Sequence, residues 1–258
     1  MRTFKRVFAG GDLHCGHRVG LTHPDFQSAI PGKDYYKFQV ASWDWFSDKV
    51  KSLKCDIAII NGDSVDGKGY RSGSTELITA SWNKQREMAC AAIGEIGAKD
   101  ITLLMGTPYH TGNNVDHERE LARMLDAPIR GQEWLDINGT VFDIKHSIGT
   151  STIPHGRFTA MAREALWNAI WERHEQQPRS DVILRSHCHY KGVTGIPNDW
   201  LGFTLPALQG QGTKYGARQC SGVVDYGFMT FDCYPGGKYT WQVHDLPVRF
   251  QKRTARKL

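Results

Sequence analysis

Apolar residues fall into short runs at the period of strands and longer stripes at the period of helices, and through the first half of the chain the two alternate. Residues 3–9 predict a buried strand that breaks at Gly10-Gly11, where the missing side chains let the backbone turn. Residues 34–53 predict a helix with Trp43, Phe46, Val50 and Leu53 on one core-facing stripe. Residues 55–61 predict a second strand. Ser74 or Thr75 is then a candidate cap for a long helix running through Ile78, Trp82, Ala89, Ile93 and Ile96 to the vicinity of Gly97. Residues 100–105 predict a third strand. Strands that alternate with helices in this way argue for βαβ units and an α/β fold.

The pattern changes after residue 133. Residues 133–137 and 141–146 flank Asn138-Gly139, the preferred pair for a two-residue hairpin turn, so antiparallel pairing is expected there. A helix over residues 159–177 carries Met161, Ala165, Trp167 and Ile170 among its apolar positions, with Pro178 as its stop. Residues 181–186 predict another strand. From Gly192 onward the expectation is short strands and turns, including 228–234 and 239–243 around Pro235-Gly236-Gly237. No repeat or linker divides the chain, so residues 1–248 are expected to form one domain, followed by a basic tail at 249–258.

Composition narrows the class. The 258 residues are 40% hydrophobic and 23% charged, ordinary globular usage that argues against disordered, collagen-like and membrane classes. No apolar run reaches the ~18 residues of a membrane span. The N-terminal apolar stretch is too short for a signal peptide, and the protein is expected in the cytoplasm. Six scattered cysteines without a Cys-x-x-Cys pair are expected to be reduced thiols. A formal net charge of +5, concentrated in the tail, makes a phosphate-bearing partner the natural one.

The chemistry lies at the strand ends. Asp12-Leu13-His14, Gly62-Asp63-Ser64-Val65-Asp66 and Gly106-Thr107-Pro108-Tyr109-His110 each follow an apolar strand-like run, and His146 and His187-Cys188-His189 follow later ones. Carboxylates and imidazoles would then gather along one sheet edge, where open α/β sheets build their sites. Two divalent cations held close together need a shared anionic ligand, and Asp63 is placed to bridge them. Asp12, His14 and one late histidine would complete one sphere, with His146 and the other late histidine in the second. Mixed carboxylate and imidazole ligation suits transition metals, manganese first with Zn, Fe or Ni as alternatives, better than Mg or Ca. Such a pair activates a bridging hydroxide and clamps phosphoryl oxygens, so the implied reaction is phosphoester hydrolysis, with Asp63 in the reacting centre. His110, expected in a loop between strand and helix, is the candidate proton donor to the leaving oxygen. His17 and His155 are close enough in sequence to these blocks to contact substrate.

This ordered set resembles the calcineurin-like metallophosphoesterase superfamily, whose members use Asp-x-His, Gly-Asp-x-x-Asp, Gly-Asn-His-Asp/Glu, a later His and Gly-His-x-His; the match runs from Asp12 to His189. The resemblance implies a mixed β-sandwich flanked by helices. It also implies that His189 joins Asp12 and His14 on one metal, while His146 and His187 hold the other. Gly106-Thr107-Pro108-Tyr109-His110 departs from the family's Gly-Asn-His, so the usual amide ligand is missing; Thr107, Asn113, Asn114 or water are candidates to replace it, and His110 is itself a candidate ligand. Ser186 replaces a usual glycine. Asp66-Gly67-Lys68 lacks the arginine of serine/threonine protein phosphatases, which argues against that branch. The residues around Asp63 are most similar to members encoded by bacteriophages and prophages, which would place the protein in a host cytoplasm.

Three functions fit these residues. The first is a dinuclear phosphodiesterase acting on a nucleotide or nucleic acid, with Lys68, Arg71 and Lys214 in glycine-rich stretches as candidate phosphate contacts. The second is a phosphomonoesterase for small metabolites or nucleotides. The third is a nucleic-acid-binding module with weak or no catalysis, whose support is the missing amide ligand.

Overall fold

The computed structural model describes residues 2–27, 34–112, 114–151, 153–213, 223–246 and 255. The basic tail at 249–258 therefore lies outside the described residues apart from Ala255, as do Asn113 and Lys214. In chain order the elements are β1 (Lys5–Gly10), α1 (Asp34–Leu53), β2 (Ile57–Asn61), α2 (Trp82–Gly94), β3 (Asp100–Leu104), α3 (Pro108–Thr111), α4 (His117–Met124), β4 (Ile129–Arg130), β5 (Gln132–Ile137), β6 (Thr140–Lys145), α5 (Thr159–Arg173), β7 (Val182–Arg185), β8 (Gly192–Ile196), β9 (Trp200–Thr204), β10 (Gly227–Tyr234) and β11 (Lys238–Asp245).

These strands form two mixed sheets. The first has the order β11-β10-β1-β2-β3-β4, parallel from β1 to β4 with β10 and β11 antiparallel at one side. The second has the order β5-β6-β7-β9-β8, with β6, β7 and β9 parallel and antiparallel strands at both edges. Alternation along the strands sets the layers, because successive side chains point to opposite faces. Val7, Ala9 and Ile59 pack with Phe142, Val182 and Phe203 between the sheets, whereas Phe8, Ala58 and Ile60 pack with residues of α1, α2 and α4 on the other face of the first sheet. Phe231 of β10 meets Phe142 and Phe203 edge-on, each at 5.3 Å between ring centroids, and so ties one sheet to the other. Met161 of α5 packs on Ile183 on the outer face of the second sheet. The expected mixed β-sandwich flanked by helices is the arrangement observed.

That outer face also buries a charge. Arg185 of β7 is 1% exposed and reaches Asp143 of β6 (2.9 Å) and Glu164 of α5 (2.8 Å), with two further bonds to the carbonyls of Asp143 and Leu184. Lys145 also pairs with Glu164, at 2.7 Å. The guanidinium thus fastens α5 to the sheet next to the strand end that carries His187.

Several sequence expectations are met closely. α1 spans the expected residues and buries Trp43, Phe46 and Val50. Asn138 and Gly139 take the positive φ values (57° and 89°) of a tight hairpin turn between β5 and β6. Two helix boundaries need correction. α2 begins at Trp82, with Ser81 and not Ser74 or Thr75 as its cap, because Leu77 pairs with His17 and the Ile78 amide donates to the Gly16 carbonyl; these contacts keep the segment non-helical. α5 ends at Arg173, before Pro178: Glu175 is left-handed (φ 55°) and the Gln176 amide returns to the Trp171 carbonyl, the bond that closes a helix end.

Candidate metal centre

The site grows from the carboxyl ends of parallel strands in both sheets. β1 delivers Asp12 and His14, β2 delivers Asp63, β3 delivers Thr107, β6 delivers His146, and β7 delivers His187 and His189. Backbone bonds lock these loops to one another: Asp12 N–H donates to the Gly62 carbonyl and His14 N–H to the Asp63 carbonyl (both 2.9 Å), and Ser186 N–H donates to the His146 carbonyl (2.8 Å). His187 N–H donates to Asp12 Oδ2 (3.0 Å), which joins the two sheets at the site.

The backbone is held in an unusual form there. Asp12, His14, Asp63, His187 and His189 all have positive φ (50°, 45°, 51°, 70° and 54°), a region that side-chain-bearing residues occupy at a cost and that clusters at functional sites. Two glycines make the packing possible. A Cβ at Gly62 would lie 2.4 Å from His146 Nδ1, and one at Gly106 would lie 2.2 Å from Asp63 Oδ1. The glycines of the Gly-Asp and Gly-Thr blocks are thus required by close approach.

Three overlapping groups of donor atoms result: Asp12, His14 and His189; Asp63, His146 and His187; and His14, Asp63 and His110, each within 4.8 Å of one another. Asp63 belongs to two of the three. His146 Nε2 is 3.1 Å from Asp63 Oδ2, and His189 Nε2 is 3.2 Å from Asp12 Oδ1. Ligand bonds of ~2.0–2.2 Å put neighbouring ligand atoms roughly 3 Å apart, so these spacings suit a shared cation. His14 Nε2 is buried without a hydrogen-bond partner among the described residues, and Asp12 Oδ1 is buried with His189 Nε2 as its near neighbour, the condition expected of atoms that a cation would satisfy.

Supporting hydrogen bonds fix which ring nitrogen is available. The Nδ1–H of His146 donates to the Asn61 carbonyl (2.7 Å), that of His110 to the Asp66 carbonyl (2.8 Å), and that of His14 to the Asp66 carboxylate (3.0 Å). In each case Nε2 is left as the atom that can ligate, the usual device for orienting a metal-binding imidazole. Charge is balanced within the cluster. Burial disfavours the charged form of Asp63, but His146 holds its carboxyl well below the usual range. Burial likewise opposes the His146 imidazolium, yet Asp63 and Asp12 push it up to about 10, so a cation here competes with the His146 proton. His14 is brought down to about 4 by burial and then by His110, which leaves it neutral and ready to ligate.

Thr107 stands where the amide ligand was missing. Its N–H donates to Asp63 Oδ1 (2.6 Å), and its Oγ1 lies 3.1 Å from Asp63 Oδ2, 3.4 Å from His146 Nε2 and 3.2 Å from His187 Nδ1. A hydroxyl oxygen thus lies beside every member of the second group. Asn114 is exposed. His110 is not in a loop, as its glycine and proline neighbours suggested, but on the single turn of α3, because the Thr107 carbonyl accepts the His110 and Thr111 amides and Pro108 starts the turn; its ring meets the His14 ring edge-on at 4.5 Å. The thiols beside the ligand blocks turn away: Cys15 Sγ donates to the Leu21 carbonyl and Cys188 Sγ to the Tyr190 carbonyl. His17 is buried and accepts the Val19 amide, whereas His155 is exposed on a turn.

Two supporting carboxylates had no assigned role in the sequence. Asp66, the second acid of the Gly-Asp-x-x-Asp block, accepts from His14 through its side chain and from His110 through its carbonyl. Glu118 of α4 is fully buried, with one oxygen accepting the Ser64 N–H (2.7 Å) and the other the Gly106 N–H (2.6 Å), so it ties together the loops that carry Asp63 and Thr107. Burial and then the Asp63 charge push Glu118 up to about 7, against the pull of the two amides. A raised carboxyl pKa adds stability below the ordinary value of 4.5, and this is lost as pH climbs through about 7. Glu118→Gln keeps one acceptor and should destabilise the metal-free protein by about 1–3 kcal/mol near pH 5. Its disadvantage should shrink by about 3 kcal/mol by pH 8, as wild-type Glu118 is forced to ionise. Urea titrations in EDTA at the two pH values test this, and a pH-independent difference would show Glu118 ionised throughout.

No protein-family model matches this chain, and no curated protein matches it. Solved structures resemble it at low identity. They include Zn²⁺-complexed Vps29 from Entamoeba histolytica (15% identity over 93% of this chain and 98% of that one, TM-score 0.48) and a dimetal phosphatase from Danio rerio (10%, 95% and 98%, TM-score 0.49). A predicted phosphoesterase from Streptococcus pneumoniae is similar at 10% identity over 95% of this chain and all of that one, with TM-score 0.39.

Proposed function

We propose that this chain is a calcineurin-like, metal-dependent phosphoesterase that hydrolyses phosphodiester bonds in a nucleotide or nucleic-acid substrate. The observation that carries the reading is Asp63, whose one buried carboxylate is grouped with His14 and His110 on one side and with His146 and His187 on the other, at the meeting point of the two sheets. Asp12, His14 and His189 would hold one divalent cation, His146, His187 and Thr107 the other, and Asp63 both. Manganese suits this donor set, as do Zn, Fe and Ni. Two such cations would supply Lewis-acid polarisation of the phosphoryl group and a water acidified toward neutral pH. Thr107 Oγ1 in the place of the missing amide favours this reading over a module that has lost its second cation. The net charge of +5 favours a polyanionic substrate.

In this reading His110 serves the leaving oxygen. Its Nδ1 proton is held by the Asp66 carbonyl, so Nε2 is the position at which a proton is given up or taken. His110→Ala should lower turnover by roughly 10²–10⁴-fold on esters with poor leaving groups and much less on p-nitrophenyl esters, with both cations retained. Loss of a cation, or equal loss for good and poor leaving groups, would make His110 a ligand or a positioning group. The parent assay is hydrolysis of bis-p-nitrophenyl phosphate against p-nitrophenyl phosphate with Mn, Zn, Ni or Mg, beside elemental analysis for two ions per chain. Preference for the monoester would move the assignment to a phosphomonoesterase, and no hydrolysis with any cation would overturn the enzyme.

A further inference from the structure

The segment between Asp66 and α2 contributes no donor to the metal centre, yet it is firmly built. The buried side-chain amide of Gln85 grips Gly67 at both its N–H and its carbonyl (2.8 Å each). Ser74 donates from its hydroxyl to the Lys68 carbonyl (2.6 Å) and from its amide to the Gly69 carbonyl (2.9 Å). Gly67, Gly69, Gly73 and Ser74 are all left-handed, which folds the loop back on itself around the short turn Tyr70–Ser72. The loop presents Tyr70, whose side chain adds little to the fold because the residue is 72% exposed.

Beside Tyr70 the loop meets α3 and the metal centre. The Arg71 amide donates to Tyr109 Oη (2.7 Å), and its guanidinium lies 4.6 Å from the centre of the Tyr109 ring. Tyr109 in turn packs edge-on against His110. On the other flank Lys68 Nζ donates to the Ala80 carbonyl (2.9 Å) and lies 5.9 Å from the Trp82 ring, which stacks on His117. Cations and aromatic rings therefore alternate along a preformed rim that begins one residue from His110.

We infer that this rim binds single-stranded nucleic acid, with a nucleobase next to the scissile phosphate stacked on Tyr70 and neighbouring phosphates met by Arg71 and Lys68. Interleaved cations and aromatic rings are the chemistry of single-strand binding, since every base offers a face to stack and the backbone offers a charge at each step. A duplex keeps its base faces occupied and gives Tyr70 nothing to stack upon. The rigid loop holds the ring in place before binding, so little is lost in ordering it. The inference rests on the phosphodiester reading above for its choice of site.

The test separates the two. Fluorescence anisotropy with the full chain in EDTA, where nothing is cleaved, compares a labelled oligothymidylate, an abasic oligomer of equal length and the corresponding duplex. Wild-type protein should prefer oligothymidylate to both. Tyr70→Ala should weaken that complex about tenfold or more, the effect of one stacked base, and Tyr70→Trp should restore it. Affinity for the abasic oligomer should be the same in wild type and Tyr70→Ala. Arg71→Ala should weaken both single strands and reduce the salt slope by about one. Equal binding of thymidylate and abasic oligomers by wild type, an unchanged Tyr70→Ala, or no binding at all overturns the rim. Because no cation is present, failure of the catalytic reading in the diester assay leaves these outcomes intact.

Discussion

Asp63→Asn should leave the fold in place, empty the site at His146 and His187 and weaken the other. The amide keeps an oxygen to accept the Thr107 N–H but loses the shared charge, so the group with His146 and His187 has no anionic donor left, whereas Asp12 still serves the group with His14 and His189. Turnover should fall by roughly 10³-fold or more, given that cation polarisation supplies several kcal/mol of transition-state stabilisation. A second readout is independent of activity: Mn²⁺ at about 100 times its dissociation constants should stabilise wild-type protein by about 2.7 kcal/mol per bound ion and the variant by clearly less. Two ions still bound by Asp63→Asn would show that the carboxylate is not the bridge.

The largest effect on stability is expected from Arg185→Ala. Asp143 would stay buried opposite a vacated space, and Glu164 would keep only Lys145. Breaking one partner out of a buried ionic group costs about 3–5 kcal/mol, which in a chain of this size lowers the melting temperature by roughly 10 °C. Replacing Arg185, Asp143 and Glu164 together with apolar residues of similar volume should recover most of that loss, since the carboxylates no longer need a partner. Melting curves of the two variants decide the matter, and an unchanged midpoint for Arg185→Ala would mean that water satisfies the carboxylates.

Much of the frame was legible because strand ends and ligand blocks coincide in sequence. Apolar runs stop at Gly11, Gly62 and Gly106, and the acids and histidines begin there, so Asp12, His14 and Asp63 could be placed on one edge without any tertiary information. The hairpin was legible for an equally local reason, the backbone preference of Asn138-Gly139. α4 was not, since its eight residues carry only Leu121 and Ala122 to the core, and Glu118, a charged residue in a polar stretch, has no sequence mark of its burial. β8 and β9 escaped because glycines and half-exposed positions blur their alternation. The start of α2 depended on contacts with the distant loop at Gly16 and His17, which leave no trace in helix propensity, and the end of α5 on a left-handed turn at Glu175 that its sequence does not mark.

The left-handed backbone at Asp12, His14, Asp63, His187 and His189 has a consequence for the molecule as a whole. Each such residue costs roughly 1 kcal/mol against glycine, so the set consumes about 5 kcal/mol, a sum comparable with the entire margin that keeps many proteins folded. A chain selected for folding alone would carry glycine at all five positions. On the two-cation reading bound ions offset part of that deficit, which links the stability of the folded chain to metal supply. Scarcity of the cation would then thin the folded population, by unfolding and proteolysis, as well as lower the activity of each molecule.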